Sequence, residues 1–260
     1  MVEPADHWHP GAAYLYILHL DGPALAWEYL RRHPDYRHDW LRRRRHPKAA
    51  QRWGLRLLED PALDARDAHP AWFPDHDSVV QLHPDDDPPP GAVAFDFWHL
   101  PGTKSLLHDG RRLVLLTRWP GRHVRLALAS GLAHGMAHSY AVRATAQPYS
   151  RCHALAGELD KLAVAASAAV HPRPAATALL EMHTLQALDG SLAGASLRRV
   201  ADVLFGTETI HQDWHADGAL RARVRRLVRR GQWLMRGGYR HLAQLPTLEQ
   251  GRSAARAKRP

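Results

Sequence analysis

The sequence predicts an α+β protein: a helical N-terminal domain, a small antiparallel β-meander, and a helical C-terminal domain with a helix-turn-helix-like element. Apolar residues recur at helical spacing at both ends of the chain. In the middle they fall in short runs punctuated by Asp-Gly and Pro-Gly. Composition adds a bound: 260 residues, 45% apolar and 23% charged, can bury a real core and exclude whole-chain disorder. The expected divisions are 1–75, 76–147 and 150–245, with 246–260 a loose tail poor in apolar residues.

Residues 7–60 read as helices. Leu15, Leu18 and Leu20 come first, and Asp21-Gly22-Pro23 breaks the segment. Asp21 with Pro23 then starts a helix in which Leu25, Tyr29 and Leu30 share a face, with Trp27 beside them. Pro34 stops it. Asp35 is the expected cap of the next helix, which carries Tyr36, Trp40 and Leu41 and ends in the basic run Arg42–Arg45, where cations suit the helix dipole.

Residues 60–92 are rich in Pro and Asp, and 85–91 read as loop. Leu106-Leu107-His108, Asp109-Gly110 and Arg111 to Arg118 form a hairpin signal, because Asp-Gly accepts the positive φ of a type I′ turn. Pro120-Gly121 marks a second turn before His123 to Leu128, and Ala137 to Ala144 supplies a further strand.

From Ser150, a candidate cap, Leu155, Leu159, Leu162 and Ala166 return to helical spacing. His171-Pro172-Arg173-Pro174 interrupts. A helix from about Ala175 to Leu188 is expected to stop at Asp189-Gly190. Ser196 then caps a short helix with Leu197, Val200, Ala201 and Leu204 as its stripe, closed by Phe205-Gly206. Thr207 caps a turn holding Ile210 and Trp214. Asp217 or Gly218 opens a longer helix to about Arg236, ended by Gly237-Gly238.

Charge singles out this last segment. Residues 1–190 hold 21 Lys and Arg against 21 Asp and Glu, whereas 191–260 hold 14 against 5, so the whole net charge of +9 sits in the final quarter. On a wheel of about 100° per residue, Leu220, Val224, Leu227, Val228, Gly231, Leu234 and Met235 form one stripe. Arg221, Arg223, Arg225, Arg226, Arg229, Arg230 and Arg236 occupy the rest, and no acid interrupts Arg221 to Arg240. Like charges one turn apart oppose an isolated helix, so packing or a polyanion must offset them. Guanidinium forks suit phosphate oxygens and guanine edges. Double-stranded DNA is therefore the expected partner. The candidate DNA-binding residues are Arg198, Arg199, Arg221, Arg225, Arg226, Arg229, Arg230 and Arg236. Eleven residues separate Gly206 from Gly218, more than a tight helix-turn-helix allows. Either a short helix fills the gap or the motif is of another type.

"LDGSLAGASLRRVADVLFG" and "LRARVRRLVRRGQWLMRGGYRHL" resemble a C-terminal domain first catalogued as a proteobacterial domain of unknown function. That domain forms the C-terminal half of FseA-type activators of integrative and conjugative elements. It is also similar to that of RovC-type activators of secretion genes. The N-terminal "LDGPALAWEYLRRHPDYRHDW" is similar to the transcriptional-regulator-like domain joined to it in such proteins. The resemblance implies an activator that self-associates. RNA polymerase or an antiactivator protein would be its further partners.

Other chemistries find little support. Cys152 is the sole cysteine, which excludes an intramolecular disulfide and a multi-Cys zinc site and suits a reduced, cytoplasmic setting. Neither a secretory signal nor a membrane span is expected. His134 with His138, and His211 with His215, have metal-ligand spacing but lack the Glu of a zinc protease and an evident third ligand. Asn is absent and Arg outnumbers Lys 31 to 4, a bias of GC-rich coding that discounts the 20 His as a signal. No Walker loop or Gly-x-Ser-x-Gly is present. No cofactor, no metal and no enzymatic activity are expected. The rival readings are an interaction adaptor or inhibitor working through the basic face, and a histidine-metal enzyme. Trp27, Trp40 and Trp53 at helical period read as core, whereas Trp233 projects from the arginine face.

Overall fold

The computed structural model describes residues 8–45, 48–119, 122–144, 148–164, 176–215 and 218–246. The chain forms two compact units, one from residues 1–70 with 173–260 and one from 71–172. The expected turn at Pro120-Gly121, the interruption at 171–174, Ala166, Asp217 as a helix start, and the tail from 247 lie outside the described residues.

In the first unit a 3-10 helix, Gly11–His19, buries Tyr14 and Ile17. Asp21 then caps α1 (Gly22–Leu30), accepting from the Ala24 N–H at 2.9 Å, with Pro23 in the first turn. Every residue from Pro23 to Leu30 is buried. The helix is therefore enclosed on all sides, beyond the single face expected from Leu25, Tyr29 and Leu30. In α2 (Pro34–Leu41) the cap is His33 and not Asp35: Pro34 takes the first helical position, and the His33 Nδ1 accepts from the Asp35 N–H at 3.1 Å. A short α3 (Ala49–Arg52) follows. Trp27 and Trp53 are core, and Trp27 donates to the Leu63 carbonyl at 3.0 Å.

The helix α5 (Ala176–Leu192) runs straight through Asp189-Gly190, where the sequence suggested a stop. A Cβ on Gly190 would lie 3.0 Å from both the Trp8 ring and Val200. This glycine is small so that neighbours can approach, and Gly194, at φ +79°, follows the true end. Beyond it come α6 (Leu197–Phe205), α7 (Thr207–Asp213), α8 (Ala219–Trp233), a π-helical turn over Leu234–Gly238, and α9 (Tyr239–Leu242).

A buried ionic network joins α1 to α5. Glu28 is fully buried and meets Arg31 at 2.7 Å and Arg32 at 2.6 Å, and it accepts from the Ala65 N–H at 2.7 Å. Arg32 reaches Asp189, which also accepts from the Tyr14 hydroxyl at 2.7 Å. Burial would raise the Asp189 pKa, but the Arg32 charge and the hydrogen bonds from Arg32 and Tyr14 outweigh it and hold the carboxyl below its usual range. Every member has a partner, as an interior of low dielectric demands.

The second unit is a sheet in the order β2-β3-β4-β1-β5, with β1 Val79–Pro84, β2 Thr103–His108, β3 Leu113–Trp119, β4 Arg122–Leu128 and β5 His138–Ala141. The sheet is mixed, which corrects the expected antiparallel meander. β1 inserts between β4 and β5, parallel to β4 with Val80 opposite Leu126, and antiparallel to β5 with Leu82 opposite Tyr140. The Pro and Asp around Val79-Val80-Gln81-Leu82 had hidden this strand. The Asp-Gly hairpin forms, but with a four-residue loop: His108 faces Leu113, and the Asp109 carboxylate accepts from the N–H groups of Arg111 and Arg112 at 3.0 and 2.9 Å. An Asp side chain that closes its own turn in this way replaces the two-residue geometry.

The helix α4 (Pro148–Val164) begins two residues ahead of the expected cap Ser150. Its Leu155, Leu159 and Leu162 lie on the sheet core of Val80, Leu82, Phe95, Leu115, Val124 and Leu126. Sequence spacing had placed this helix with the C-terminal helices. Its apolar stripe instead covers the sheet, which would otherwise expose that face to water.

Candidate nucleic-acid interface

Ser196 caps α6 as the sequence predicts, accepting from the Arg199 N–H at 3.2 Å. Val200 and Ala201 are buried, and Arg198 and Arg199 face solvent. Gly206, at φ +85°, turns the chain at once into α7, so a short helix does fill the interval between Gly206 and Gly218. Thr207 donates its hydroxyl to Asp202 at 2.9 Å and does not cap α7. Ile210 is the buried anchor of that helix.

The stripe of α8 is buried as expected at Val224, Leu227, Val228, Gly231, Leu234 and Met235, while Leu220 is half-buried near the start. Gly231 is the contact point with α5: a Cβ there would meet the Leu188 Cβ at 2.9 Å and the Thr184 carbonyl at 3.2 Å. With the apolar side pressed onto α5, the opposite side faces solvent and carries Arg225, Arg226, Arg229 and Arg236.

The remaining arginines of the helix border the stripe. Arg230 is half-buried and ion-paired with Glu181 of α5, whose other oxygen accepts from the Tyr29 hydroxyl at 2.6 Å. Arg223 lies over the Phe205 ring at 4.8 Å and so links α8 to α6. Arg221 is half-buried and partnered. On α6, Arg199 pairs with Asp202 at 3.1 Å across one helical turn. The eight candidates therefore divide. Arg198, Arg225, Arg226, Arg229 and Arg236 are exposed, and Arg199, Arg221 and Arg230 have partners within the chain. Burial and Arg223 lower the pKa of His183, which contacts Phe205 edge-on at this junction. Glu181 and Phe205, which sort these arginines, were not among the residues singled out from the sequence.

The helix breaks at Gly237 as expected: α8 ends at Trp233, a π-helical turn runs over Leu234–Gly238, and Gly237 takes a non-helical φ of +157° that kinks the chain before α9. Trp233 is 53% exposed and stacks on His241 with ring centroids 5.7 Å apart. A Cβ on Gly238 would come within 2.6 Å of its ring, so the turn fixes where the indole sits.

The histidine pairs are not gathered. His134 stands in a loop 3.8 Å from Asp96, while His138 lies on β5 against Phe95 and Tyr140. His211 is on α7, and His215 lies past its end. Among the described residues no three metal-binding side chains come together, and no helix is long and apolar enough to cross a membrane.

Residues 125–244 match the family described as a type VI secretion system transcription factor DNA-binding domain, of RovC type. This segment is similar to the RovC-type DNA-binding domains. Residues 7–57 match the proteobacterial transcriptional regulator-like domain, and 77–124 match a domain of unknown function (DUF7011). The RovC-type and regulator-like matches agree with the resemblance that the three quoted segments carry. No curated protein shows significant similarity to the chain. The RovC-type segment spans α6 to α9 with their exposed arginines, and the chain is a DNA-binding transcriptional regulator.

Proposed function

We propose that the chain activates transcription by binding duplex DNA through the exposed side of α8, with α6 beside it. Arg225, Arg226, Arg229 and Arg236 would hold phosphate oxygens, and Arg198 would add a contact from α6. Base reading would fall to side chains near Arg221 or on α6. Arg230 is better suited to fixing α8 against α5, because Glu181 already occupies its guanidinium. The targets would be secretion or mobile-element genes, and the active form a homo-oligomer that meets RNA polymerase or an antiactivator protein.

One observation carries this reading: α8 and the turn after it bury their apolar stripe from Val224 to Met235 and still leave Arg223, Arg225, Arg226, Arg229 and Arg236 exposed, within the segment that matches a DNA-binding domain. A helix that only needed to pack would not require an acid-free cationic side, because like charges one turn apart oppose helix formation. The test is a mobility-shift assay of the full chain on the promoters next to its own gene, against random duplex of equal length. Preferential retention of one promoter supports the reading, and no retention at low salt overturns it.

A further inference from the structure

The fold brings a second basic segment to the end of the α8 arginine face. Between Arg37 and Arg52 the chain carries seven Lys and Arg and one acid, Asp39. Arg42, Arg43, Arg44, Arg45, Lys48 and Arg52 are all exposed. Among the described residues, none of Arg42 to Arg45 pairs with a carboxylate. Arg43 lies over the Trp40 ring at 3.8 Å, which leaves its charge unneutralised. A helix C-terminus favours a cation or two, but not four in succession with no acid among them.

Sequence separation hides where this segment lies. The Arg240 guanidinium donates to the Arg52 carbonyl at 3.4 Å, and the Tyr239 hydroxyl donates to the Trp53 carbonyl at 3.1 Å, so α9 sits against α3. Asp39 ties Arg52 back to α2, pairing with it at 3.4 Å and accepting from the Trp53 indole at 2.8 Å. His33 is near enough to both Arg52 and Arg236 that, after burial, their charges help to lower its pKa. Arg236, the last exposed arginine of the α8 side, and Arg52 thus both lie within electrostatic reach of His33, and Arg42 begins three residues after Asp39. From Arg225 to Arg236 the helix advances about 16 Å, close to five base-pair steps of a duplex.

We propose that the turn Arg42–Arg45, with Lys48 and Arg52, is a second DNA contact: the N-terminal helices hold the sugar-phosphate backbone of the same duplex that α8 engages. This rests on the reading of α8 as a DNA-binding helix. The contact supplies affinity without sequence discrimination, because four adjacent guanidiniums on a turn present charge to a backbone and no ordered edge to bases. It also gives the N-terminal regulator-like segment a direct part in binding.

The test compares the full chain with R42Q/R44Q/R45Q, and separately with R225A/R229A. Fluorescence anisotropy on a labelled duplex of the adjacent promoter and on random duplex is followed across salt. The substituted side chains are exposed and, among the described residues, unpaired with acids, so circular dichroism should not change. The Gln variant should bind both duplexes at least tenfold more weakly at low salt. The slope of log affinity on log salt should fall by about 0.9 for each phosphate no longer held, and R42K/R44K/R45K should restore it. Should the triple variant unfold, the single variant R44E, at one exposed position, must weaken binding in the same direction. Normal binding by the Gln variant with weak binding by R225A/R229A overturns this contact and leaves the reading of α8 standing. Normal binding by both overturns both. Weak binding by the Gln variant alone overturns the shared track.

Discussion

The Arg32 guanidinium grips the Asp189 carboxylate with two hydrogen bonds, of 2.6 and 2.8 Å, across 157 residues of sequence. It ties the N-terminal regulator-like helices to the helix that backs α8. The pair is almost wholly buried, so its partners cannot be exchanged for water. Asp189→Ala should leave Arg32 with uncompensated charge and cost about 3–5 kcal/mol, read as a lowered denaturation midpoint. An unchanged midpoint would show that the pair does not tie α1 to α5. A fragment of 150–245 alone would strand Asp189 and Glu181 without Arg32, Tyr14 and Tyr29. DNA binding is therefore a property to measure on the whole chain.

Glycine in a helix interior usually gains from replacement by Ala. At Gly190 and Gly231 the sign should reverse, because the new methyl would meet Trp8 and Val200 at 3.0 Å, or the Leu188 Cβ at 2.9 Å. Gly231→Ala should destabilise by about 1–3 kcal/mol as α8 is pushed off α5. Chemical denaturation measures it, and a gain in stability would show that α8 does not pack as closely as this.

His33 accepts a hydrogen bond at Nδ1 only while that nitrogen is unprotonated. Burial and the charges of Arg52 and Arg236 lower its pKa below 6.5, although Asp35 opposes them. A depressed folded pKa means that this stabilisation is complete above about 6.5 and is lost as pH falls through the lower, folded value. His183 is shifted the same way and adds to the slope. His33→Asn keeps a capping acceptor and removes the titration, so the stability–pH profile should flatten below 6.5. A profile identical to that of the parent chain would show that His33 does not cap α2 in solution.

The local rules served well where one residue decides the geometry. Asp21 and Ser196 start helices through their side-chain oxygens, and Gly206 ends one because, without a Cβ, it takes a positive φ. The α8 stripe was legible because apolar and cationic residues segregate cleanly on one wheel. Long-range contacts were not legible. Gly190 looks like a stop until Trp8 and Val200 are seen against it. β1 is hidden among Pro and Asp because a parallel partner, β4, lies more than forty residues away. Arg230 is indistinguishable from Arg229 in sequence, and only Glu181 on α5 separates them. The basic turn at Arg42 counted for little by charge balance, because the neutralising acids are spread along the chain and not placed beside it.

Packing and binding should separate on α8. Leu227→Ala deletes a buried side chain and should cost about 2–5 kcal/mol, with DNA binding abolished through unfolding. Thermal melts followed by circular dichroism will show this. A normal melt would mean that the stripe does not hold the helix in place.

The central claim is that the exposed arginines of α8 hold DNA, and R225A/R229A in the full chain tests it most directly. Affinity for promoter and random duplex is measured across salt, beside circular dichroism. Both side chains point away from the buried stripe, so the fold should be unchanged, both affinities should fall, and the salt slope should drop by about 2. Unchanged affinity with a normal spectrum would contradict the claim and place the DNA site on another surface.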